Sequence, residues 1–328
     1  MSERRTKHIL ITGATGFLGG ALARHLVESG APVVALARSA AKAGDAEAQG
    51  LRVVRGDLTN RESLRRAVED CDVVVHCAAS FGHPDEQRDV NVNGTRTLAE
   101  ECAFGGVRLL IYVSSIVVYG FGRRGVITED MPAMPGVYAY AKTKYGGELA
   151  IKEVALHTGL STVIVRPGMI YGPGSVNWTD ALFRYARRKP VVFPGDGSGS
   201  THPIYIDDVV EMLVRIVSGE NLNGEIFNCS PDPAPTWREW LLGYARLAGH
   251  QSWLSLPPFL AKTAAGMIMG FAPPASLLRD LPELLDQYLE KSVFSTARAR
   301  ERLGWSAQVG LTEGIERCAP YLREKGLL

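Results

Sequence analysis

The hydrophobic residues in the first two-thirds of the chain form short runs rich in β-branched side chains, separated by longer amphipathic stretches. The runs are almost continuously apolar, as expected for strands that helices cover on both faces of a sheet. Alternation of this kind predicts parallel strands joined by crossover helices. The predicted strands are 8–13, 32–38, 51–57, 72–78, 109–115 and 162–168, and predicted helices between them include 22–30, 61–70 and 93–106. Asn60 and Asn93 are predicted as N-caps of the last two helices.

The regular alternation ends after residue 172. Segment 173–206 is rich in Gly and Pro, and 231–328 has a mostly helical pattern with breaks at Pro residues near 257, 273 and 282. We therefore predict an α/β protein with a doubly wound parallel Rossmann sheet and a smaller, mostly helical C-terminal substrate lobe. The predicted boundaries are 1–175 and 203–230 for the Rossmann domain, and 176–202 and 231–328 for the lobe.

Composition narrows the classes of partner. The 328 residues carry a formal net charge of +1 and no dense Lys/Arg run, so we expect no nucleic-acid partner. The five cysteines lack C-x-x-C spacing, which is typical of reduced thiols in a cytoplasmic protein and predicts no metal site. The apolar segment 259–272 is shorter than the ~20 residues that a membrane span needs, and the polar N-terminus predicts no signal peptide.

A glycine-rich turn follows the first predicted strand. In TGATGFLG, the residues Gly13, Gly16 and Gly19 stand between a strand and a helix. Glycine permits a tight turn and a close approach of the backbone, while the helix N-terminus offers free N–H groups to an anion. This context predicts a site for a dinucleotide pyrophosphate. The expected contacts in the turn are Gly13, Thr15, Gly16, Phe17, Leu18 and Gly19.

The end of the second predicted strand bears on the choice of cofactor. NAD-selective sites usually place Asp or Glu there to bind the ribose 2′-hydroxyl, whereas this chain has Arg38, followed by Ser39 and Lys42. A guanidinium suits a 2′-phosphate, so NADP(H) is favoured over NAD(H). Asp57 and Leu58, after the third strand, are candidates for the adenine edge, although Asp57 could instead cap the next helix.

Two Tyr–Lys pairs with i,i+4 spacing lie in VYAYAKTKYGGE, namely Tyr138/Lys142 and Tyr140/Lys144. Residues at this spacing share a helix face. A neighbouring ammonium lowers the pKa of a phenol, whose ordinary value is about 10, and so allows the Tyr to act as a general acid–base. Such a Tyr can protonate a carbonyl oxygen as hydride arrives at the carbonyl carbon. The spacing alone does not choose between the two pairs.

The ordered motifs resemble those of the extended short-chain dehydrogenases/reductases, the NAD(P)-dependent epimerase/dehydratase and 3β-hydroxysteroid dehydrogenase-like group. They are TGATGFLG (12–19), GDL (56–58), HCAA (76–79), NVNGT (91–95), YVSSIVVYG (112–120), YAKTK (140–144), RPGMIYGPG (166–174), IYIDDVV (204–210) and the closing ARERLGWSAQVGLTEGI (299–315). The family pattern, Tyr-x-x-Ser/Thr-Lys with an acid four residues later, matches Tyr140, Thr143, Lys144 and Glu148. The resemblance thus implies Tyr140 and Lys144 as catalytic residues that also contact the cofactor, with Ser115 orienting the substrate oxygen.

The resemblance implies further positions. Ala78 and Ala79 would line the cofactor channel, and Asn93 would hold the central strands and a water, although it is also a candidate helix N-cap. A second set would pass close to the nicotinamide, namely Pro167, Gly168 and Met169. A homodimer formed by the helices near 93–104 and 140–157 is also implied.

Three functions remain open at this point. Nucleotide-sugar members usually carry an Arg that grips the sugar-nucleotide diphosphate, but Thr201–His202 stands at the Arg-Asp place. This favours an oxidoreductase that interconverts a hydrophobic or bulky ketone and a secondary alcohol by hydride transfer. His202, or Arg184, Arg187 and Arg188, could replace the missing Arg, which leaves a nucleotide-sugar epimerase/dehydratase as the alternative. A non-catalytic NADP(H)-sensing regulator is less favoured because both Tyr and Lys are present. The apolar segment 252–278 fits a hydrophobic substrate or the core of the lobe.

Overall fold

The computed structural model of the chain describes residues 8–48, 50–271, 285, 288–289 and 291–328. The predicted breaks near 273 and 282, and the end of the apolar segment 252–278, lie outside these described residues.

The strands that were predicted from hydrophobic runs assemble into one sheet. The strands of the described residues are β1 (His8–Thr12), β2 (Val33–Ala37), β3 (Arg52–Arg55), β4 (Cys71–His76), β5 (Leu109–Val113), β6 (Arg124–Ile127), β7 (Thr162–Pro167), β8 (Met169–Tyr171), β9 (Val191–Pro194), β10 (Pro203–Tyr205), β11 (Ile226–Cys229), β12 (Trp253–Leu256) and β13 (Lys291–Phe294). Seven of them form this sheet in the order β11-β7-β5-β4-β1-β2-β3, and the ladders from β3 to β7 are parallel. The predicted doubly wound α/β fold is confirmed.

The helices alternate with the strands in the first part of the chain and dominate the last. They are α1 (Phe17–Glu28), α2 (Ala40–Glu47), α3 (Arg61–Val68), α4 (Pro84–Arg88), α5 (Thr95–Phe104), α6 (Ala139–Thr158), α7 (Ala181–Ala186), α8 (Ile206–Ser218), α9 (Trp237–Leu247), α10 (Pro258–Phe271), α11 (Ala297–Leu303), α12 (Leu311–Arg317) and α13 (Ala319–Glu324). Turns of π geometry, Asp89–Gly94 and Val176–Asp180, lead into α5 and α7. In the described part of the chain, no helix combines the length and the apolar character that crossing a membrane requires.

One of the two predicted N-caps, Asn60, is confirmed, and the other, Asn93, is wrong. Asn60 caps α3 as predicted, because its side chain accepts a hydrogen bond from the Ser63 N–H. Asn93 does not cap a helix, since it lies inside a helical stretch that runs from Pro84 to Phe104 through the π turn. The break in the hydrophobic pattern near residue 93 marks this widened turn, not a helix start.

The chain divides into two compact units. The first comprises the described residues of Met1–Val118, Ala139–Arg166 and Val210–Phe227, and the second comprises those of Tyr119–Tyr138, Pro167–Val209 and Asn228–Leu328. In the first unit, the core joins the sheet to α3, α5 and α6 through buried side chains such as Leu64, Leu98, Leu110 and Ile151. In the second, β8 pairs with β10, β9 with β12 and β6 with β13, and all three ladders are parallel.

Candidate active site

The glycine turn lies directly against the end of β4. Gly13 has φ +74°, and a Cβ on it would meet the backbone nitrogen of Ala78 at 2.9 Å. A Cβ on Gly19 would collide with the carbonyl oxygen of Gly13. The turn therefore requires glycine at both places, because any side chain would separate β1, α1 and β4.

The N-terminus of α1 is open to an anion. Its N-cap residue is Gly16, which is exposed, and no side chain of the described residues caps the first turn. The first turn, Phe17–Gly20, contains no acid. Thr15 and Phe17 are half-buried and Leu18 is buried beneath the turn. The free N–H groups and the positive end of the helix dipole fit a dinucleotide pyrophosphate. The residues present therefore fit the cofactor that the sequence predicts.

Arg38 follows β2 at the same edge of the sheet, since Thr12 and Leu36 are partners in the β1–β2 ladder. Its side chain is exposed and forms no ion pair or hydrogen bond with the described residues. The neighbouring Ser39 accepts a hydrogen bond from the Lys42 N–H and so caps α2. The guanidinium is thus available for a ligand, and the Ser39 hydroxyl, which uses a lone pair in the cap, keeps its proton for another acceptor.

Asp57 and Leu58 follow β3 in a short turn. One carboxylate oxygen of Asp57 accepts hydrogen bonds from the N–H and the hydroxyl of Thr59, at 2.9 and 2.7 Å. Asp57 therefore stabilises the turn, and Asn60, not Asp57, caps α3. Leu58 is buried beneath Gly94, where a Cβ would lie 3.0 Å from its side chain.

A directed chain of hydrogen bonds crosses the ends of β1 and β4. The Thr95 hydroxyl donates to the Asn91 carbonyl at 2.8 Å and accepts from Nε2 of the buried His76 at 2.9 Å. Nδ1 of His76 then accepts from the Thr12 hydroxyl at 2.7 Å, and Thr12 in turn accepts from the Ala78 N–H at 3.3 Å. Burial, and secondly the charge of Lys144, lower the pKa of His76 to about 3, so this ring is neutral. The chain positions Ala78, which is half-buried together with Ala79.

The predicted role of Asn93 in holding the central strands is wrong, and Asn91 has that position. Asn93 is exposed and donates to the Asp89 carboxylate. Asn91 is buried, exchanges hydrogen bonds with the backbone of Ser80 at 2.7 and 2.9 Å, and donates to the Thr143 hydroxyl at 3.2 Å. Its spacing of four from the inward-facing Thr95 is the sequence signal that would have identified it.

The two Tyr–Lys pairs differ in the burial of their lysines. Lys144 is 2% exposed, whereas Lys142 is exposed on the opposite side of α6. The Lys144 ammonium lies 4.2 Å from the centre of the Tyr112 ring at the end of β5. Burial lowers the pKa of Lys144 to about 7, and the negative charge of Glu148 opposes this shift.

Glu148, one turn after Lys144, belongs to a buried ion pair. Its carboxylate accepts from Nε and Nη2 of Arg166 at 2.9 and 2.6 Å, and from the Ser114 hydroxyl at 2.6 Å. The bidentate geometry and the third hydrogen bond compensate for the loss of water around both charges. The network ties α6 to the ends of β5 and β7, and so holds Ser115 and the first turns of α6 at one edge of the sheet.

Tyr140 stands one turn before Lys144 and is half-buried. Its ring stacks on Phe81 with a centroid distance of 4.5 Å and an interplanar angle of 22°. Phe81 is 64% exposed, and nothing in its sequence context had indicated it. Tyr138, by contrast, is described with the second unit and lies 5.9 Å from the Phe121 ring.

Ser115 follows β5 and is half-buried. Its Oγ accepts from the Val117 N–H at 3.4 Å, in the turn that leads into the 3₁₀ helix Ile116–Tyr119. The bond uses a lone pair of the oxygen and leaves the hydroxyl proton for another acceptor.

The remaining predicted cofactor contacts are described with the second unit. Pro167 and Met169 are buried, and Gly168 donates its N–H to the Cys229 carbonyl at 2.9 Å. A Cβ on Gly168 would collide with the carbonyl oxygen of His202. Glycine is therefore required where the chain passes from β7 to β8.

His202 is an interior residue. Its ring nitrogens face the hydroxyls of Ser292 and Ser230 at 3.3 and 3.5 Å, and its ring meets Phe294 edge-on at 4.6 Å. Burial lowers its pKa to about 3, so it carries no charge at neutral pH. Thr201 beside it is fully buried. Neither residue can supply the positive charge that an Arg would offer to a diphosphate.

A glycine turn at the carboxyl edge of a parallel sheet, next to a helix with a buried Lys one turn after a Tyr, defines a nicotinamide-dinucleotide enzyme of the extended short-chain dehydrogenase/reductase type. Residues 9–230 match the model of the NAD dependent epimerase/dehydratase family, and the chain belongs to that family.

Known relatives include both reductases and epimerases. The chain is 30% identical to a 2-alkyl-3-oxoalkanoate reductase of Stenotrophomonas maltophilia, over 94% of this chain and 97% of the relative. It is 26% identical to a UDP-glucose 4-epimerase of Vibrio cholerae, over 97% and 96%. A solved structure of MoeE5 in complex with UDP-glucose and NAD is similar with a TM-score of 0.76 and 27% identity, over 97% of this chain and 99% of that one.

Proposed function

We propose that the protein interconverts a ketone and a secondary alcohol by hydride transfer, with Tyr140 as the general acid–base. The observation that carries the proposal is the burial of Lys144 one helical turn after Tyr140, while Lys142 of the competing pair is exposed. An ammonium in a site of low dielectric acts on a phenol more strongly than it would in water. This supports Tyr140/Lys144 over Tyr138/Lys142.

Each residue of the site then has one task. The Tyr140 hydroxyl gives its proton to the carbonyl oxygen in reduction and takes it back in oxidation. Lys144 stabilises the phenolate that results, and the free hydroxyl proton of Ser115 orients the substrate oxygen. Bound nicotinamide would donate or accept the hydride. With a pKa near 7, Lys144 is sensitive to small changes in its surroundings, as expected at a functional site.

The substrate class follows from charge. A sugar-nucleotide diphosphate needs a cationic anchor, and the buried, neutral His202 does not provide one. The exposed Phe81 beside Tyr140 offers an aromatic face to an apolar group. We therefore propose a hydrophobic or bulky ketone, and the reductase relative supports this choice. Arg184 and Arg188 are exposed, so their positive charges are available to a diphosphate. The nucleotide-sugar epimerase therefore remains the second candidate.

The proposed cofactor is NADP(H), because the exposed Arg38 occupies the position where an acid would select NAD(H). In this proposal the predicted Rossmann domain, residues 1–175 and 203–230, holds the cofactor. Besides the glycine turn, the residues that contact the cofactor are Asp57, Leu58, Ala78, Ala79, Pro167, Gly168 and Met169. The predicted substrate lobe, residues 176–202 and 231–328, binds the substrate.

The acid–base assignment is tested by a matched pair of variants. Tyr140→Phe should lower kcat by roughly 10²–10⁴-fold, the usual contribution of a general acid–base. Tyr138→Phe, two residues away, should retain activity near that of the wild type. Both rates are measured as NADPH consumption at saturating ketone. An active Tyr140→Phe enzyme would refute the assignment.

The reaction class is tested with substrate panels. Apolar ketones should oxidise NADPH in a stoichiometric reaction. UDP-sugars should give neither product nor net cofactor change. Epimerised or dehydrated sugar nucleotide without net cofactor turnover would instead establish the second candidate.

A further inference from the structure

The ring of Phe81 lies against one face of the Tyr140 ring. The planes of the two rings differ by 22° and their centres are 4.5 Å apart. Phe81 nevertheless exposes 64% of its surface, so burial in the hydrophobic core does not fix its ring. A stacked aromatic pair is attractive beyond the apolar area that it buries. The contact therefore restrains both rings.

Hydrogen bonds hold the backbone on both sides of Phe81. The Ser80 N–H donates to the side-chain oxygen of the buried Asn91 at 2.7 Å, and the Ser80 carbonyl accepts from the same side chain at 2.9 Å. The Gly82 N–H donates to the Ser80 hydroxyl oxygen at 3.1 Å, and the Gly82 carbonyl accepts from the Gln87 side chain at 2.8 Å. Because its two neighbours are paired in this way, Phe81 leaves the backbone in a fixed direction although its ring is exposed.

Asn91 and Gln87 also contact the helix that carries Tyr140. The Thr143 hydroxyl oxygen, one turn after Tyr140 on α6, accepts from the Asn91 side chain at 3.2 Å. The same hydroxyl lies 3.3 Å from the Gln87 side-chain oxygen and 3.1 Å from the Tyr140 carbonyl, and its single proton serves these two acceptors. One hydrogen-bonded cluster thus positions the backbone of Phe81 and the first turn of α6, and the two rings meet as a consequence.

A general acid–base must keep its oxygen within hydrogen-bond reach of the reacting group. The backbone of α6 does not by itself do this, because a half-buried Tyr side chain can turn between staggered rotamers. We propose that Phe81 is a positioning residue that holds the Tyr140 ring in the one orientation from which its hydroxyl transfers the proton. The effect on the rate rests on the proposed function, whereas the restraint on the ring does not.

The kinetic test compares the full chain with Phe81→Leu, measured as NADPH consumption over a range of ketone concentrations. Leu keeps an apolar side chain for the substrate but cannot stack, so KM should stay near that of the wild type. The value of kcat should fall by roughly 2- to 13-fold, the factor that corresponds to the usual strength of a stacked pair. Phe81→Tyr retains a ring and should recover most of the lost kcat. The matched control is Phe104→Leu, at another exposed Phe on α5, which should behave as the wild type does.

The second test observes the ring itself and needs no turnover. The 11 tyrosines are replaced by 3-fluorotyrosine, and the ¹⁹F signal of Tyr140 is the one that Tyr140→Phe lacks. A ring held in one orientation tumbles with the whole protein, whereas a released ring changes rotamer in picoseconds to nanoseconds. The Tyr140 signal should therefore relax more slowly in Phe81→Leu, and should keep its wild-type transverse relaxation rate in Phe81→Tyr and Phe104→Leu.

The variants are compared at equal melting temperature, so that a change in the fold is not read as a change in the site. An unchanged relaxation rate of the Tyr140 signal in Phe81→Leu would overturn the proposal. So would a kinetic loss confined to KM, since Phe81 would then contact the substrate without positioning Tyr140. If the wild type reduces no ketone, the proposed reaction fails, and the ¹⁹F relaxation still decides whether Phe81 holds the ring.

Discussion

Replacing Arg38 by Ala should lower the affinity for NADPH and leave the affinity for NADH nearly unchanged. The side chain is exposed and forms no ion pair with the described residues, so its removal leaves no buried charge behind. An exposed substitution of this kind usually changes the free energy of unfolding by less than about 0.5 kcal/mol. A loss of NADPH binding would therefore report on the cofactor contact and not on the fold.

The expected magnitude follows from the chemistry of the contact. A hydrogen bond to a charged group contributes about 1.5–3 kcal/mol net. Because Arg38 lies at an exposed edge of the sheet, solvent screens the pair, and we expect the bidentate contact as a whole to contribute about that amount. The dissociation constant for NADPH should then rise by roughly 10- to 150-fold. NADH lacks the 2′-phosphate, so its dissociation constant should stay within about twofold, which is less than about 0.5 kcal/mol.

The assay is a fluorescence titration of each cofactor with the wild type and the variant. Arg52→Ala is the matched control, because Arg52 is also exposed but lies at the opposite edge of the sheet from Arg38. It is the first residue of β3 and pairs with Val34 near the start of β2. The control should bind both cofactors as the wild type does. The difference between the variants should also shrink at high salt, as expected for a charged contact.

Two results would refute the reasoning. Equal losses for NADPH and NADH would show that Arg38 supports the loop instead of reading the 2′-phosphate. Tighter binding of NADH than of NADPH by the wild type would show that the cofactor preference itself is wrong.

Two further predictions concern the glycine turn and the buried lysine. Gly19→Ala places a Cβ against the Gly13 carbonyl and should lower the free energy of unfolding by about 1–3 kcal/mol through overpacking. Denaturant unfolding measures it, and Gly44→Ala, where a Cβ meets open space, should not lower it. Lys144→Met should flatten the pH dependence of stability. Between about pH 7 and 10.5 the unfolded chain keeps a proton that folded Lys144 has released, so wild-type stability rises with pH across this range. Melting temperatures should show that rise in the wild type and in the exposed-site control Lys142→Met, and a rise of equal size in Lys144→Met would contradict the assigned pKa.

The fold was predictable because its signal is local. Apolar runs such as HILIT and VVALA need only be read along the chain, and both became fully paired strands. The glycine turn was predictable for the same reason, since its strand, turn and helix are consecutive. The cap at Asn60 depends on its own turn and on nothing distant.

The site was only partly predictable, because burial depends on elements that are remote in sequence. Asn91 and Asn93 look equivalent in NVNGT, and only the packing of the π turn against Ser80 and Thr143 buries Asn91. From the sequence, His202 was a candidate for the positive charge that nucleotide-sugar members supply with an Arg at this place. Its burial among Ser292, Phe294 and Ser230 makes it neutral.

The sequence by itself determined the class of protein: a parallel α/β sheet, a dinucleotide turn at Gly13–Gly19 and two candidate Tyr–Lys pairs. Periodicity and glycine spacing carry that information without any long-range contact. Only the tertiary structure decided which lysine is buried, because Tyr112 on β5 and the Glu148–Arg166 pair surround Lys144 and leave Lys142 in solvent. Desolvation acts through space, and so the electrostatic setting of a site is decided by the fold and not by the spacing of its residues.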